Sequence, residues 1–398
     1  MGRILVTGLG VVSPLGRDLA SFWHSLTSGR DTFAETPKLP GSGILVSGLD
    51  AATSFTDLPL KSLAPLDPSG IYAVAAAQAA LKDANLSDGF ADPTRVAVII
   101  GNGAGGQMSI EEQYDRLFRQ ERRTHPLTVV KAMVSSSASW VSMAFGAKGP
   151  AFVTSSACAS ATQAIGTAMQ LIRAGIVDVA IAGGTEAPLT YGTISAWDSM
   201  KVMSRSKCRP FSRNREGLML SEGAGMLILE SEAHAKARGA VVHAELAGFA
   251  SGADAGDIVA PSADGMARAM QAAIADAGAS TSDVAYINAH GTATRQNDAT
   301  ETEALKMVFG PTSVPPISST KGVTGHALGA AGAIEAVATV LAIKYGIAPP
   351  TANYEEFDPA CDLDVIPNVP RPMRIPLALS NSFAFGGINA SLAFRQAA

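Results

Sequence analysis

The sequence contains little charge, few aromatic residues and almost no cysteine. Of its 398 residues, 16% are charged, 6% are aromatic and three are cysteine. The low charge, beside an apolar fraction of 47%, argues against disorder and for a packed globular protein. Thirty basic residues against thirty-five acidic ones give a net charge of −5. Because nucleic-acid-binding proteins normally have a basic excess, this balance argues against that class.

The three cysteines, Cys158, Cys208 and Cys361, are widely spaced and form no CxxC pair. This pattern favours neither a disulfide framework nor a zinc site, and it fits a reducing cytosol. We therefore expect a cytoplasmic protein without a metal or cofactor. The first residues predict a strand rather than a signal peptide. The uncharged run 149–172 could span a bilayer by length, but its Ser, Thr and Gln content predicts a buried helix, so no membrane association is expected.

Predicted strands and helices alternate along the whole chain, without a linker between its halves. This alternation predicts an α/β layered fold, and the similar order of predicted strands and helices in the two halves suggests an internal duplication. Residues 31–67, rich in Pro, Gly and Ser, are predicted to be irregular. Strands are predicted at 3–12, 95–100, 177–182, 226–230, 242–248, 284–288, 377–382 and 390–394, and helices at 18–28, 71–84, 131–147, 265–277 and 332–345.

Cys158 lies where a short strand is predicted to pass into a helix. Residues 151–154 are apolar enough for a buried strand, and Ser155 and Ser156 are candidate N-caps. Cys158 would then lie in the first helical turn, where the helix dipole favours a nucleophilic thiolate. The alternative is a packing cysteine, the commoner role of a lone cysteine among alanines.

The segment GNGAGG after the strand at 95–100 formally matches the dinucleotide fingerprint GxGxxG. A dinucleotide site should have an acidic residue at the end of the next strand, about 20 residues later. Here that region is the charged run RQERR around Glu121. We interpret Gly101, Gly103 and Gly106 as positions of close backbone packing.

Two histidines lie in glycine-containing segments. His290 is in AHGTAT, with Asp298 and Glu301 following, and His326 is in KGVTGHALG. One such histidine is more often structural. Two histidines with a cysteine fit a nucleophile with acid/base or hydrogen-bond-donor partners. A further segment, NSFAFGG at 381–387, puts aromatics and glycines on a turn that could equally be a simple hairpin.

Together these segments resemble the β-ketoacyl-acyl carrier protein synthases, in particular the elongating group with a Cys-His-His triad. The resemblance runs in order over nearly the whole chain. It implies a thiolase-type α/β fold: two duplicated βαβαβαββ halves, at 1–241 and 242–398, in five α-β-α-β-α layers, usually as a homodimer. The matching segments are VTGLGVVSPLG, VTSSACAS, CRPF, GLMLSEGAG, HGTAT, SSTKGVTGHALGAAGAIE and NSFAFGGIN.

The resemblance also implies a decarboxylative Claisen condensation. Cys158 would take an acyl group from acyl carrier protein, and the amides of Cys158 and Phe385 would form the oxyanion hole. His290 and His326 would hydrogen-bond the malonyl thioester carbonyl as an enolate forms. Two N–H donors in a dry site suit a developing enolate oxygen.

Further roles carried over from the family concern support and access. Lys321 and Glu335 would form an ion pair that orients His326, with a purely structural role as the alternative. Phe385 would gate the site and Phe383 would shield the malonyl carboxylate. The remaining implied substrate contacts are Thr292, Thr294, Gly386 and Gly387.

Some positions depart from the family pattern. Ala384 replaces a usual glycine and Ile388 a usual threonine, which puts the mobility of the gate in question. Ala104 stands where many relatives carry a bulkier residue at the far end of the acyl tunnel. We therefore expect this chain to accept longer acyl groups.

The carrier protein of this family is acidic, so a basic docking patch is expected. Two positions that are commonly basic, Ala64 and Pro65, are uncharged here, which indicates a dedicated carrier or a thinner patch. A solvated face remains the alternative interpretation of RQERR. The candidate docking residues are Lys61, Lys201, Arg122 and Arg123.

Two other protein classes are alternatives to a catalytic synthase. The chain-length partner subunits of ketosynthase heterodimers resemble this family but usually lack the cysteine, which is present here. Thiolases acting on coenzyme A thioesters typically use a second cysteine near the end, and Cys361 lies outside that turn. The resemblance leaves open whether the product is an ordinary fatty acid, a specialised lipid or a polyketide.

Overall fold

A computed structural model describes residues 2–49, 55 and 57–397. The predicted alternation of strands and helices is confirmed. The sheet strands are β1 Ile4–Val12, β2 Val96–Gly101, β3 Ala151–Thr154, β4 Val179–Glu186, β5 Gly223–Ser231, β6 Ala244–Ala253, β7 Tyr286–Asn288, β8 Ile317–Ser318, β9 Leu377–Ala384 and β10 Ile388–Gln396. Two-residue strands pair at Ala34–Glu35 with Leu45–Val46 and at Ile347–Ala348 with Arg371–Pro372.

The helices alternate with these strands. They are α1 Leu19–Thr27, α2 Pro68–Asp83, α3 Gln107–Phe118, α4 Thr128–Ala132, α5 Ser136–Phe145, α6 Ser160–Arg173, α7 Tyr191–Ser199, α8 Glu232–Ala237, α9 Ala263–Asp276, α10 Arg295–Phe309, α11 Lys321–Thr324 and α12 Ala331–Tyr345. Short 3₁₀ turns occur at Pro93–Arg95, Thr281–Asp283, Leu328–Ala330 and Pro359–Cys361.

The strand order shows the predicted duplication. The first half is ordered β3-β2-β4-β5-β1 and the second β8-β7-β9-β10-β6. In each half, the second, third and fourth strands in chain order run parallel to one another. The fifth strand pairs antiparallel with the fourth, and the first pairs antiparallel with the fifth. Two residue pairs between β1 and β6 join the halves into one ten-stranded sheet. Each half is therefore the same α/β unit.

The helices form three layers around the two halves of the sheet. α2 and α5 cover the outer face of the first half, and α9 and α10 cover that of the second. α6 and α12 lie between the halves and share one apolar core with both. The predicted five layers follow, because each face of each half buries apolar side chains against helices.

The long apolar runs of the sequence form the two helices of the central layer. One helix, Leu328–Tyr345, is apolar and long enough to cross a membrane, but 83% of it is buried inside the protein. α6 likewise buries nine of its fourteen residues. Both helices are packed as core helices of an α/β fold.

Several sequence predictions were wrong in detail. Residues 151–154 were expected to be a buried strand, but β3 is the exposed edge of the sheet, with Phe152 38% exposed. Residues 131–147 were expected to form one helix, but α4 and α5 are separated at Met133, whose ψ of 132° is extended. Helices α3, α7 and α10 were not predicted. Their polar or mixed composition weakens the apolar periodicity on which prediction depends. Residues 50–54 and 56 of the predicted irregular region lie outside the described residues.

Candidate active site

Cys158 lies in the turn between β3 and α6. Because α6 begins at Ser160, Cys158 precedes the first helical turn, and the predicted serine cap is replaced by Ala159. The turn is held by Ser160, whose Oγ accepts the Ser156 N–H at 2.9 Å and donates to the Ala157 carbonyl at 2.6 Å. Ala157 adopts a left-handed φ of +49°, which is unfavourable for a residue with a Cβ. The turn presents Cys158, 5% exposed, to a cavity.

His326 is the nearest partner of the thiol. Its Nε2 lies 3.1 Å from Cys158 Sγ. The backbone of His326 is fixed because its N–H donates to the Met219 carbonyl at 2.7 Å. Its Nδ1 is buried and has no hydrogen-bond partner among the described residues.

His290 follows β7 and completes the cluster. Glu301 on α10 accepts the N–H groups of His290 and Gly291, both at 2.8 Å. The two imidazole rings meet edge to face at 5.4 Å between centroids. The sulfur and a ring nitrogen of each histidine lie within 4.8 Å of one another. The three predicted triad residues are therefore brought together from distant parts of the chain.

Lys321 supports His290. Its ammonium group is 1% exposed, forms an ion pair with Glu335, and donates to the His290 carbonyl at 2.6 Å. The ammonium nitrogen is 3.3 Å from His290 Nδ1. The prediction that this pair orients His326 was wrong, because the ion pair contacts His290 instead. Lys321 donates to Nδ1, so Nε2 of His290 carries the proton toward the cavity.

Burial sets the ionisation of the triad. Desolvation raises the pKa of the Cys158 thiol to about 12, against an opposing effect of the Lys321 charge. Desolvation and then the Lys321 charge hold the pKa of both histidines well below their usual value. From the sequence we expected the helix dipole to favour a thiolate at Cys158. The structure instead favours a neutral thiol beside two neutral imidazoles.

The Cys-His-His spacing could also hold a soft metal ion. The buried ammonium of Lys321 opposes this, since it would repel a second cation beside His290. Asn288 Oδ1, Ser380 Oγ and Glu335 Oε2 are buried without partners among the described residues, and the β7–β9 register pairs Asn288 with Ser380.

The triad opens into a cavity of about 570 Å³. Its aromatic wall contains Phe383, which meets His290 edge to face at 6.1 Å, and Phe385. Trp197 on α7 stacks on Phe385 at 5.8 Å and 22°. The predicted residues that line the cavity are Cys158, His290, His326, Thr292, Thr294, Phe383, Phe385 and Lys201.

The turn 385–387 closes the hairpin of β9 and β10, so the hairpin interpretation is also correct. Gly386 and Gly387 have φ of +86° and +66°. A Cβ added to Gly387 would lie 2.8 Å from Asp254. Ala384 and Ile388, the two departures from the family pattern, face each other across the base of the turn.

Among the described residues, the other predicted site residues do not line this cavity. Gly386 and Gly387 shape the turn, and Ala104 is in the loop after β2, where its N–H donates to Glu186. The glycines of that loop pack closely, as predicted: a Cβ on Gly101 would lie 2.2 Å from a backbone nitrogen of α6. Lys61, Arg122 and Arg123 are exposed on the surface.

Sequence reasoning missed Trp197, Arg295 and Glu186. Trp197 and Arg295 line the cavity, and Glu186 accepts three backbone N–H groups beside it. Trp197 and Arg295 belong to helices that were not predicted. An acidic residue ending the apolar strand β4 was the available signal for Glu186.

Comparison with known proteins identifies the family. The family models described as "Beta-ketoacyl synthase, N-terminal domain" and "Beta-ketoacyl synthase, C-terminal domain" match residues 1–235 and 243–355. The chain is 46% identical to Nodulation protein E of Rhizobium sp. (strain N33), over 99% of both chains. It is 38% identical to 3-oxoacyl-[acyl-carrier-protein] synthase 2 of Staphylococcus aureus (strain COL), over 99% of this chain and 98% of that protein.

Comparison with solved structures supports the same family. A beta-ketoacyl synthase from Burkholderia phymatum STM815 superposes with a TM-score of 0.92 at 36% identity, covering all of both chains. The ishigamide ketosynthase/chain length factor gives 0.94 at 30% identity, also over all of both chains. The fold is the thiolase-type fold of the ketosynthases. The chain belongs to the beta-ketoacyl synthase family, a family of acyltransferases.

Proposed function

We propose that this protein is an elongating 3-oxoacyl-acyl carrier protein synthase. The observation that carries the proposal is the 3.1 Å contact between Cys158 Sγ and His326 Nε2, beside His290, at the inner end of a cavity. The family and the identity to a 3-oxoacyl-[acyl-carrier-protein] synthase 2 support it.

In the first half-reaction Cys158 accepts the acyl group. The Sγ attacks the thioester carbonyl while its proton passes to His326 Nε2, since the thiol itself is not ionised. The amides of Cys158 and Phe385 would stabilise the oxyanion. The carrier thiolate leaves and takes the proton, so the enzyme ends as an acyl thioester with neutral histidines.

In the second half-reaction malonyl-acyl carrier protein replaces the first carrier. Loss of CO₂ from the malonyl group leaves an enolate, whose oxygen accepts an N–H bond from Nε2 of His290 and a second from Nε2 of His326, once the ring proton of His326 has moved from Nδ1 to Nε2. Neutral imidazoles suit this role, and burial with the Lys321 charge keeps them neutral. The enolate carbon attacks the acyl-Cys158 carbonyl, and the carbon–sulfur bond breaks as the elongated 3-oxoacyl chain leaves. The released Cys158 thiolate takes up one proton from solvent, which restores the resting thiol.

The residues around the triad would control access. Phe385, which is followed by Gly386 and Gly387, is positioned to swing as a gate, and Phe383 to shield the malonyl carboxylate. Thr292 and Thr294 would contact the carrier arm, because both hydroxyls lie along the cavity, 2.9 Å apart.

Acyl carrier protein is the expected macromolecular partner. One structural neighbour is a type II PKS acyl-carrier protein in complex with its ketosynthase. Lys201 lies at the cavity mouth, whereas Lys61, Arg122 and Arg123 are exposed away from it. We infer that these basic residues dock an acidic carrier, with Lys201 beside the opening and the other three farther across the surface.

A homodimer is the expected assembly, in the cytoplasm. Among the described residues the edge strand β3 pairs with β2 alone, and exposed apolar side chains lie on α5, which packs against it, and on α3 and α4. A heterodimer is the second candidate, because one structural neighbour is a ketosynthase in complex with its chain length factor. We also retain the division into halves at 1–241 and 242–398, which the shared strand order supports.

The product is proposed to be a specialised lipid. The identity of 46% to Nodulation protein E exceeds the 38% to the synthase 2 relative. Ala104 is half-buried in the glycine-rich loop and has only a methyl side chain, which supports a longer acyl chain.

The function is tested with the purified protein, acyl-acyl carrier protein and malonyl-acyl carrier protein. The wild type should release CO₂ and form a 3-oxoacyl product. Cys158→Ala should lose condensation by at least about 10³-fold, yet keep malonyl decarboxylation because both histidines remain. Cys361→Ala, at a buried cysteine outside the cavity, is the matched control and should keep both activities. A wild type that cannot decarboxylate malonyl groups would contradict the proposal.

A further inference from the structure

Two aromatic side chains from different elements are stacked inside the cavity. Trp197 on α7 and Phe385 on the turn after β9 both line the cavity that contains Cys158, and both are half-buried. Their ring centroids are 5.8 Å apart and their planes are inclined by 22°, within the range of offset-stacked pairs. Because the proposed gate is one of the two rings, the stack holds the gate in the position that the structure shows.

The helix that carries Trp197 is anchored at both ends. At its start, Glu111 on α3 accepts the N–H groups of the first two residues of α7, at 2.8 and 2.6 Å. In its last turn, Asp198 pairs with Arg205 at 2.6 Å. The indole therefore projects from a helix that is held by two other segments of the chain.

The segment that carries Phe385 is built differently. Phe385 is followed by two glycines with φ values of +86° and +66°. Glycine changes its backbone conformation at little steric cost because it has no Cβ. There is also room at the first of them, since a Cβ added to Gly386 would have no neighbour closer than 3.9 Å. Of the two stacked rings, Phe385 is therefore the mobile one and Trp197 the fixed one.

The timing of gate opening matters for the second half-reaction. His290 and His326 already face the cavity while Cys158 is a free thiol. A malonyl group that reached them in this state would lose CO₂, and its enolate would find no acyl thioester to attack. The enolate would then take up a proton from solvent and leave as an acetyl thioester. A gate that stays closed until Cys158 is acylated prevents this side reaction.

We propose that Trp197 is a positioning residue that holds Phe385 closed until Cys158 carries an acyl group. The inference rests on the proposed function and adds a control over the order of its two steps. An acyl chain on Cys158 enters the cavity that both rings line, so it competes with the stack for space. An aromatic pair of this geometry shifts the balance between a closed and an open gate by about two- to tenfold.

The test measures malonyl decarboxylation by the free enzyme and by the enzyme acylated on Cys158. The wild type should release CO₂ more slowly as the free enzyme. Trp197→Leu keeps apolar bulk but removes the ring, so its free-enzyme rate should rise about two- to tenfold, with acetyl thioester as the product. Its acylated-enzyme rate should change less than about twofold, because the gate is already open. Trp197→Phe keeps a ring and should restore the wild-type behaviour.

The matched control is Trp23→Leu, which removes a different aromatic stack. Trp23 lies 5.3 Å from Tyr345 between ring centroids, and neither residue lines the cavity. This variant should keep the wild-type ratio of the two rates. An unchanged ratio in Trp197→Leu would overturn the proposal, and so would an equal fall of both rates, which would indicate a purely structural role. Equal rates of the free and acylated wild type would also overturn it.

Fluorescence tests the same proposal with Trp197 in place. The chain has three tryptophans, so Trp23→Phe/Trp140→Phe leaves Trp197 as the sole indole. Acylation of Cys158 should shift its emission, and adding Phe385→Leu should abolish that shift. No shift on acylation would overturn the proposal, as would a shift that survives without Phe385, since the acyl chain would then act on Trp197 directly. In each of these outcomes the wild type would still condense acyl and malonyl groups, so the proposed function is judged separately.

Discussion

The loops after the second strand of each half have the same support and different side chains. The glycine loop (101–106) follows β2 and the histidine loop (289–294) follows β7. Glu186 accepts the N–H groups of two adjacent residues of the first loop, and Glu301 does the same in the second. The duplicated scaffold therefore fixes both backbones in one way. The two loops differ in their side chains, since the first carries glycines and Ala104 and the second carries His290.

The loops after the third strands of the two halves supply two of the three triad residues. Cys158 follows β3 and His326 follows β8, and each precedes a helix of the central layer, α6 or α12. Equivalent positions of the two halves thus meet at 3.1 Å. At the outer edges the halves diverge, since β3 is exposed while β8 is buried and its Ile317 N–H donates to the Asp364 carbonyl. The duplicated fold therefore brings two equivalent loops together at the triad. Of its two equivalent edge strands, β3 is exposed and β8 is covered.

The largest effect is expected from the buried ion pair, which supports the histidine loop alone. Lys321→Met leaves Glu335 buried without its partner, and should lower the free energy of unfolding by about 3–5 kcal/mol, measured in urea. Decarboxylation should fall by at least about 10²-fold because His290 loses its donor. The double variant Lys321→Met/Glu335→Gln should regain much of the stability but not the activity. Recovery of both would mean that the pair has only a structural role.

A smaller effect should separate the two loop-holding carboxylates. Glu301→Gln replaces one acceptor oxygen by an N–H donor facing the His290 loop, so malonyl decarboxylation should fall about 10–100-fold by displacement of the imidazole. Glu186→Gln changes the glycine loop, so decarboxylation should change less than about threefold while acyl transfer to Cys158 slows. Separate assays of the two half-reactions measure this. Equal losses in both assays for both variants would show that the loops are not functionally distinct.

The pH dependence of stability tests the same carboxylates. Burial raises the pKa of Glu186 and of Glu301 to about 7, although backbone N–H bonds oppose it. Between the ordinary glutamate value and about 7 each of these two carboxyls is protonated more in the folded protein than in the unfolded chain, so its contribution to the free energy of unfolding should fall as pH rises through this range. The buried histidines, whose pKa values are lowered, contribute with the opposite sign and are the same in the variant. Glu301→Gln should reduce that slope, as measured by urea unfolding at several pH values. The wild-type slope surviving in both Glu→Gln variants would be evidence against these pKa shifts.

The smallest effect is expected at Ala104 in the glycine loop. Ala104→Phe should shorten the products by about two to four carbons through lost volume, with decarboxylation unchanged. Ala104→Gly is the control, since it removes bulk and should not shorten them. Product masses from a mixture of acyl-acyl carrier proteins give the result. Unchanged chain lengths would show that this loop does not bound the acyl chain.

The sequence identified the fold and the triad because their signals are local. Apolar periodicity gave most strands and helices, and the motifs around Cys158, His290 and His326 stand in contiguous segments. The segments that it missed, α3, α7 and α10, are polar or mixed helices whose stability comes from packing on neighbours. Trp197 and Arg295 were missed with them.

The sequence by itself determined the α/β layering through its periodicity, and the resemblance of its motifs to a known family indicated the duplication and the three residues of the triad. Only the tertiary structure decided that Lys321 and Glu335 support His290 rather than His326, that the Cys158 thiol rests protonated, and that β3 is an open edge. Each of these depends on distances and desolvation between segments far apart in the chain. Local patterns do not encode such quantities, because they arise only when the layers pack.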